Sequence, residues 1–328
     1  MNKRERIDGE RRGVLVTGGA GFIGSHIVAA LHDEGWRVEV LDNLSVGNLE
    51  SVPSGVRFHL GDVRSETDLQ RVFDGAPFDA VVHCAAQTSV ERSMMEPQLD
   101  REINVLGTAR VARAAKVSGV ERIVFASSAG AIYGETAKPA TEKTRPTPRS
   151  HYGRHKYAAE QALLDSGVPC AVLRLSNVYG PGQRSDAEGG VVAIFLERFA
   201  RGEPLELHGG GKQVRDFVHV SDVVKAALLA LRDGMTGVWN VASGRATCIT
   251  DLVEEIAALA GRPVGVRRLP RRSGDVKRSL IGPGKLLATG AWGPPLPLAE
   301  GLRLTAAASG IIVVGGATAL DAAAAATS

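Results

Sequence analysis

A tyrosine and a lysine, Tyr152 and Lys156, stand four positions apart in the segment HYGRHKYAAEQ. Residues at positions i and i+4 lie on one face of a helix, so both side chains can enter the same cleft. A free phenol has a pKa of about 10 and is a poor base at neutral pH, whereas a nearby ammonium stabilises the phenolate. The pair therefore predicts a proton-transfer group, although this spacing also arises by chance in many helices.

Two serines, Ser127 and Ser128, end the apolar run RIVFASS upstream of this pair. A serine hydroxyl at that place could bridge a substrate oxygen and the tyrosine. A serine pair at the end of a strand usually only begins a loop, so this interpretation depends on the tyrosine and the lysine.

A glycine-rich turn, VLVTGGAGFIGSH, carries Gly18, Gly21 and Gly24 between an apolar run and a helical pattern. Small residues let the backbone turn tightly and approach a pyrophosphate, and the following helix offers its free N–H groups to the phosphates. In this strand-to-helix context a dinucleotide site is favoured over a purely structural turn. A dinucleotide site and a lysine-assisted tyrosine in one chain indicate hydride transfer at a hydroxyl-bearing carbon.

Two aspartates follow later apolar runs. Asp42 ends VEVLD, where a carboxylate accepts hydrogen bonds from both ribose hydroxyls and repels a 2′-phosphate, so NAD is favoured over NADP. Asp62 lies in GDVRS and could reach the adenine amino group, with a turn-forming aspartate as the alternative.

Strand and helix patterns alternate through the first half of the chain. The predicted strands are 14–17, 38–42, 57–60, 80–84 and 122–128. The predicted helices are roughly 22–33, 66–74, 99–117 and 151–166. This repetition predicts an α/β fold, a Rossmann doubly wound parallel sheet with its cleft at the carboxyl ends of the strands.

The pattern changes after the segment AVLRLSNVYGPG, which predicts a smaller α/β lobe that binds substrate. The expected NAD-binding domain is 13–176 plus about 215–243, and the expected second lobe is 177–214 plus about 244–309. Residues 310–328 are expected to form a loosely ordered tail, because their apolar stretch is too short to span a membrane.

Composition excludes several classes of protein. The 328 residues carry 39 Lys+Arg against 36 Asp+Glu, a formal net charge of +3, which gives no case for nucleic-acid binding. The leader MNKRERIDGERR lacks an apolar core, so we expect neither a signal peptide nor an anchor. The 3 cysteines form no CxxC pair, so we expect no zinc site, no disulfide framework and a cytoplasmic protein.

Together these segments resemble the extended short-chain dehydrogenase/reductase family, in its nucleotide-sugar epimerase and dehydratase branch. The resemblance covers about residues 13 to 308. The motifs that carry it are, in chain order, TGGAGFIGSH, LDNLSVG, GDVRS, VVHCAAQ, NVLGT, FASSAGAIYGE, YGRHK, LRLSNVYGPGQ, QVRDFVHVSDVV and RRSGDV.

The resemblance implies a role for each matching residue. Tyr152 would be the catalytic base, Lys156 its partner and Ser128 the hydroxyl that bonds the sugar oxygen. Ser127 is the reserve candidate, because this chain has one more residue between the serines and Tyr133 than some members have. The implied contacts to NAD are Gly18, Gly21, Phe22, Ile23, Gly24, Asp42, Asn43, Asp62, Val63, Ala85, Ala86 and Lys156.

The resemblance also implies contacts to a UDP-sugar substrate. Asn177 and Arg215 would lie on the diphosphate side, and Arg272 and Asp275 would contact phosphate and nucleoside. Two arginines from separate segments suit a diphosphate that is held at its middle. The alternative for Arg272 is a solvated basic loop.

The reaction is narrowed by the residues after Ser128. Dehydrating relatives carry an acidic pair there to eliminate water, whereas this chain has Ala129 and Gly130. The resemblance therefore implies an epimerase. NAD stays bound, Tyr152 takes the C4 hydroxyl proton, and the 4-keto sugar swings about its diphosphate link and is reduced on its opposite face. Two rivals remain open, a net NAD-dependent oxidoreductase and a degenerate NAD-binding scaffold.

Relatives dimerise through helices that match 99–117 and 151–166, so a homodimer is expected.

The sugar is predicted from Arg184, in YGPGQRSD. Relatives that act on uronic acids carry a similar arginine, whose guanidinium could pair with a carboxylate at C6. UDP-glucuronate/UDP-galacturonate is therefore slightly favoured over UDP-glucose/UDP-galactose, and an exposed loop arginine is an equally good explanation of Arg184.

Overall fold

Strands and helices alternate along the first half of the chain and continue in shorter pieces through the second half. The computed structural model describes residues 12–186, 190–271 and 276–311. The strands are β1 (Gly13–Thr17), β2 (Arg37–Asp42), β3 (Arg57–Leu60), β4 (Ala80–His83), β5 (Arg122–Ser128), β6 (Cys170–Leu175), β7 (Asn177–Tyr179), β8 (Leu205–His208), β9 (Val214–Arg215), β10 (Phe217–His219), β11 (Gly237–Val241), β12 (Thr247–Cys248) and β13 (Val266–Leu269). The α-helices are α1 (Phe22–Asp33), α2 (Glu66–Gly75), α3 (Val90–Met95), α4 (Pro97–Arg101), α5 (Thr108–Val117), α6 (Ala129–Tyr133), α7 (His151–Leu164), α8 (Val191–Ala200), α9 (Val220–Arg232), α10 (Ile249–Ala260), α11 (Gly284–Leu287) and α12 (Leu298–Ala308).

A seven-stranded sheet in the order β11-β6-β5-β4-β1-β2-β3 forms the centre of the fold, and all its neighbouring strands run parallel. The five strands predicted from apolar runs all belong to this sheet, so the predicted doubly wound α/β fold is confirmed. The strand order reverses between β1 and β4. In such sheets the crevice at the carboxyl ends of the strands beside this reversal is where ligands bind.

Alternate residues of each central strand pack against different helices. Val14 and Val16 join the apolar cluster under α1 and α9, whereas Leu15 joins the cluster under α2, α5 and α7. All three side chains are fully buried. Burial of one such side chain is worth about 1.5–3 kcal/mol, so the two covered faces hold the strand ends firmly in place.

The predicted helix 99–117 is interrupted by a π-helical segment, Glu102–Gly107, between α4 and α5. Within it the buried Asn104 bonds the backbone of Gln87: its Nδ2 donates to the Gln87 carbonyl oxygen at 2.8 Å, and its Oδ1 accepts from the Gln87 N–H at 3.1 Å. The predicted helical segment is present from Pro97 through Val117, and local periodicity could not show that part of it is π-helical. The contact fixes the loop that follows β4.

The second half of the chain builds a smaller apolar cluster. Phe195 of α8, Leu207 of β8, Leu252 of α10 and Leu302 of α12 are buried together there. Strand β13 pairs with β8, while α9 and β11 return to the central sheet. The domain boundaries stay a prediction, and most of the expected tail, 312–328, lies outside the described residues.

Candidate active site

A cavity of about 760 Å³ opens at the carboxyl ends of the central strands. All the residues predicted to contact the cofactor line it, and so do five residues predicted for catalysis or substrate binding, with Lys156 in both groups. The lining includes Gly18, Gly21, Phe22, Ile23, Gly24, Asp42, Asn43, Asp62, Val63, Ala85, Ala86, Lys156, Ser127, Ser128, Tyr152 and Arg184. Its size is typical of a small-molecule site.

The glycine-rich turn between β1 and α1 has the shape of a diphosphate cradle. Gly18 has a φ of +70°, and a Cβ atom on it would lie 2.5 Å from the backbone nitrogen of Ala85. Helix α1 begins after Gly21 without a side-chain cap and without an acidic residue in its first turn. Its N-terminal N–H groups and positive dipole end therefore favour an anion at this place.

Asp42 ties the glycine-rich turn to the loop after β2. Its Oδ2 accepts a hydrogen bond of 3.0 Å from the Ala20 N–H, and its Oδ1 accepts one of 2.8 Å from the Leu44 N–H. A carboxylate has about four lone-pair sites, so both oxygens can still accept ribose hydroxyls. The position and chemistry of Asp42 fit the NAD predicted from the sequence.

Asp62 lies farther along the cavity beside Asn43. Arg64 donates to both of its oxygens, through Nε at 3.0 Å and Nη2 at 2.8 Å, and Asn43 Nδ2 donates to it at 2.8 Å. These hydrogen bonds, led by that of Arg64, lower the pKa of Asp62 to about 2. Asp62 also accepts from the Arg64 N–H at 2.8 Å, so it forms a turn as well as presenting an ionised acceptor.

Tyr152 stands in the first turn of α7, which begins at a Ser150 cap whose Oγ accepts from the Gly153 N–H at 3.0 Å. A Cβ atom on Gly153 would collide with the carbonyl oxygen of Ala131 in α6. This close approach lets α7 bring Tyr152 to the cavity beside the end of β5. Tyr152 is 9% exposed.

Lys156 is 2% exposed and lies one helical turn after Tyr152. Its Nζ donates to the Ala126 carbonyl oxygen at 2.8 Å and lies 4.1 Å from the centre of the Phe125 ring. Burial lowers the pKa of Lys156 to about 8, and the charge of Glu160 acts in the opposite direction. The ammonium therefore predominates at neutral pH, as the sequence-based mechanism requires.

The two serines at the end of β5 have different surroundings. Ser127 Oγ donates a buried hydrogen bond of 2.6 Å to Glu160 Oε1. Ser128 precedes α6, and its side chain makes no capping hydrogen bond to that helix. This geometry favours Ser128 as the hydroxyl that meets a substrate, and its role stays a prediction.

The residues predicted to bind the substrate are only partly brought together. Arg184 lines the cavity, where its Nη1 donates to the Val46 carbonyl oxygen at 3.1 Å and its Nε donates to Asp186 at 3.0 Å. Asn177 and Arg215 are not among the residues that line the cavity. Asn177 Nδ2 donates to the Asp216 carbonyl oxygen at 2.8 Å. Arg272 and Asp275 lie outside the described residues.

Arg215 is directed at the backbone that follows those two positions. Its Nη1 donates to the Val276 carbonyl oxygen at 2.7 Å and to the Val214 carbonyl oxygen at 3.0 Å. The structure thus places Arg215 beside the backbone of Val214 and Val276, and Arg215 is not in the described wall of the cavity.

Sequence reasoning missed several residues of the cavity wall. These are Cys84, Gln87, Thr88, Arg92, Ser176 and Gln183. Gln87 and Thr88 follow the predicted strand 80–84, so the rule that ligands bind at carboxyl ends could have found them. Arg92 lies within α3, and no local signal marked it.

Residues 12–186, 190–271 and 276–311 contain neither a metal-ligand cluster nor a membrane-spanning helix. In these ranges no cluster of three or more histidine, cysteine, aspartate or glutamate side chains could hold a metal ion. None of the helices in the same ranges is both long and apolar enough to span a membrane.

Residues 14–242 match the NAD dependent epimerase/dehydratase family. The chain belongs to this family, which confirms the resemblance drawn from its motifs, and its cofactor is NAD. Within the family it is an isomerase of the epimerase branch.

Individual relatives are similar over nearly the whole chain. A UDP-glucose 4-epimerase from Mycolicibacterium smegmatis is 37% identical over 304 residues, which cover 89% of this chain and 96% of that protein. The crystal structure of a UDP-glucose 4-epimerase from Thermus thermophilus in complex with NAD has a TM-score of 0.87 and 43% identity, over 92% of this chain and 100% of that one. The structure of MoeE5 in complex with UDP-glucuronic acid and NAD has a TM-score of 0.80 and 33% identity, over 90% of this chain and 98% of that one.

Proposed function

We propose that this protein is an NAD-dependent UDP-sugar 4-epimerase that interconverts UDP-glucose and UDP-galactose. The observation that carries the proposal is the placement of Tyr152 and Lys156 on one buried face of α7, in the wall of the cavity that contains the predicted NAD contacts. The similar chains named UDP-glucose 4-epimerase support this choice of sugar.

Tyr152 is the proposed base that takes the proton of the sugar C4 hydroxyl, and Lys156 stabilises the phenolate through its ammonium charge. Ser128 donates to the same sugar oxygen and orients it. The chemistry that NAD would supply when bound is a nicotinamide ring that accepts the C4 hydride and can give it back. After the 4-keto sugar has rotated to present its other face, the hydride returns to that face of C4 and Tyr152 returns the proton to the C4 oxygen.

The segment after Ser128 supports epimerisation over elimination. Ala129 and Gly130 open helix α6, and neither can act as an acid or a base toward a neighbouring sugar carbon. The site therefore has a group for proton exchange at the C4 oxygen and lacks, in this segment, a group that would remove water.

The test is product analysis by NMR with UDP-galactose and no added nucleotide. We expect conversion to UDP-glucose by protein that carries NAD through purification, and far slower conversion by Tyr152→Phe. Turnover that consumes added NAD in proportion to product would favour a net oxidoreductase. Retained NAD with no turnover on any UDP-sugar would favour a degenerate scaffold.

UDP-glucuronate/UDP-galacturonate is the second candidate pair. It is favoured by the position of Arg184 in the cavity wall and by the similarity to MoeE5, which was solved with UDP-glucuronic acid. Against it, the guanidinium of Arg184 already pairs with Asp186, whose pKa this hydrogen bond lowers. A carboxylate partner from the same loop competes with any carboxylate of a sugar.

Arg184→Ala and Asp186→Ala form a matched pair of variants for this question. If Arg184 binds a sugar carboxylate, Arg184→Ala lowers kcat/KM for the uronate more than for UDP-galactose. Asp186→Ala then raises kcat/KM for the uronate relative to that for UDP-galactose. Equal effects on both sugars in both variants would remove the argument for a uronate substrate.

We also propose a homodimer in the cytoplasm. The described ends of α5 and α7 expose the apolar side chains Val117 and Leu164, which fits a helical interface. Analytical ultracentrifugation tests the assembly. Wild-type protein that sediments as a monomer at micromolar concentration would count against the dimer. A Leu164→Glu variant that sediments as a wild-type dimer does would count against this interface.

A further inference from the structure

Helix α7 carries a third polar residue on the same buried face as Tyr152 and Lys156. Glu160 lies one further turn along, and the exposed fraction falls from 9% at Tyr152 to 2% at Lys156 and 0% at Glu160. A fully buried carboxylate is costly and is rarely found without partners. The proposed reaction uses the first two residues and assigns nothing to the third.

Glu160 is held in one orientation by Arg174 of β6. Arg174 Nε donates to Glu160 Oε1 at 3.0 Å, and its Nη2 donates to Oε2 at 2.6 Å. The guanidinium is fixed in turn by Tyr133, whose Oη accepts from Arg174 Nη1 at 2.9 Å and donates to Asn240 Oδ1 at 2.9 Å. The paired geometry restricts the carboxylate to a single position.

The same carboxylate also holds the end of β5. Glu160 Oε1 accepts the hydrogen bond of 2.6 Å from Ser127 Oγ, and Ser127 is the neighbour of Ser128. Glu160 therefore contacts the strand that presents the candidate substrate hydroxyl while it belongs to the helix that presents the candidate base.

The titratable groups around Lys156 lie on its own helix, on β4 and the residue after it, and on α4, and Arg174 of β6 adds a positive charge beside Glu160. His83 ends β4 and Cys84 follows it, and burial keeps both neutral near pH 7, with the pKa of His83 lowered to about 3 and that of Cys84 raised to about 12. Asp100 of α4 is paired with His155 at 2.5 Å. Among the groups that favour the ammonium of Lys156, Glu160 has the largest effect.

We propose that Glu160 is a positioning residue for the epimerase reaction, whose buried carboxylate keeps the Lys156 ammonium charged and fixes the strand end that carries Ser128. It acts through Lys156 and Ser127 and touches neither sugar nor cofactor. The inference rests on the proposed function for its catalytic consequence, whereas its electrostatic part can be measured on the protein itself.

The experiment measures the titration of Lys156 by NMR on protein labelled with [¹³C]lysine, with the signal assigned from Lys156→Met. Glu160→Gln removes the charge and retains the size of the side chain. Its Lys156 should titrate lower than wild type by about one pH unit or more, and the alkaline limb of the epimerase rate should move down with it. An unchanged titration in Glu160→Gln overturns the inference.

Two further variants keep the test decisive. Tyr133→Phe disturbs the same network without removing the carboxylate, so its Lys156 should titrate as in wild type, and a matching decrease there would overturn the electrostatic role. If Glu160→Gln alone does not fold, because it leaves Arg174 charged and buried, Glu160→Gln/Arg174→Met is compared with Arg174→Met. These two proteins differ only in the charge of residue 160, and Lys156 must titrate lower in the double variant. Wild-type protein that is inactive on all UDP-sugars refutes the proposed function, and the titration still decides the role of Glu160.

Discussion

The Nζ atom of Lys156 donates a 2.8 Å hydrogen bond to the carbonyl oxygen of Ala126. This bond joins helix α7 to strand β5 directly before Ser127 and Ser128. Because the ammonium is buried, its orientation cannot change without loss of that bond. The phenol of Tyr152 and the serine at the strand end are thus held in one frame by the residue that also supplies the charge.

Tyr152→Phe should lower kcat by about 10²–10⁴-fold, because it removes the hydroxyl that exchanges the proton and leaves the ring. Coupled assay of UDP-glucose formation gives the rate. Tyr157→Phe is the matched control on the same helix and should stay close to wild type. Turnover of Tyr152→Phe at the wild-type rate would contradict the assigned base.

The burial of Lys156 predicts opposite effects of pH on activity and stability. Its pKa of about 8 implies that activity falls as pH rises through that value, since the ammonium is lost. In the unfolded chain Lys156 has its ordinary pKa of 10.5. Between about pH 8 and pH 10.5 the unfolded state therefore binds more protons than the folded state, and the contribution of Lys156 to the free energy of unfolding rises with pH.

Initial rates and urea unfolding between about pH 7 and about pH 10 measure both effects. Lys156→Met should lack the stability increase. A wild-type rate that stays flat across this range would contradict the assigned state of Lys156.

Gly18→Ala should abolish retention of NAD. The substituted residue would be strained at a φ of +70°, and its methyl group would lie 2.5 Å from the Ala85 nitrogen. Gly35→Ala is a matched control, because Gly35 has a φ of +80° with nothing within 4 Å of the added Cβ. Each variant should lose about 1–2 kcal/mol of stability from the left-handed backbone, and Gly18→Ala should lose more because of the clash. Only Gly18→Ala should lose NAD, which is released by denaturing the purified protein and then quantified. Equal NAD content in the two variants would contradict the cradle.

His83 should weaken the protein in acid. Thr108 Oγ1 donates to the Asn104 carbonyl oxygen at 2.7 Å and so accepts from His83 Nε2 at 2.9 Å, which leaves Nδ1 to accept from Thr17 Oγ1 at 2.6 Å. This neutral ring has its pKa lowered by burial to about 3 from 6.5. Between these values the unfolded chain binds a proton that the folded one does not, so stability is lost as pH falls below 6.5.

In this range His83 should change the free energy of unfolding by about 1.4 kcal/mol per pH unit. Urea unfolding of wild type and His83→Gln at several acidic pH values isolates it, because glutamine cannot take up the proton. A His83→Gln slope equal to that of wild type would count against the assignment.

The cofactor half of the site could be predicted because its signals are local. Gly18, Gly21 and Gly24 lie within one strand, turn and helix, and Asp42 ends the next strand. Parallel strands bring their carboxyl ends to one edge, so the positions of these residues follow from the order of elements alone. The same rule placed Tyr152 and Lys156 once their helix was recognised.

The substrate half could not be predicted as fully, because its residues depend on partners that are distant in the chain. Arg184 is spaced like a uronate-binding residue, yet it lies against Val46 and pairs with Asp186. Asn177 and Arg215 bond backbone carbonyl groups and are not among the cavity-lining residues.

The sequence by itself determined the doubly wound α/β fold, the NAD cofactor, and the glycine-rich turn and tyrosine–lysine pair that line one cavity, because periodicity, glycine content and i, i+4 spacing act over a few residues. Only the tertiary structure decided that Ser127 is bonded to Glu160 while Ser128 remains the candidate for the substrate, and that a π-helical turn interrupts 99–117. Those outcomes depend on contacts between side chains of different strands and helices, and the free energy of such contacts is set by packing that no local pattern encodes.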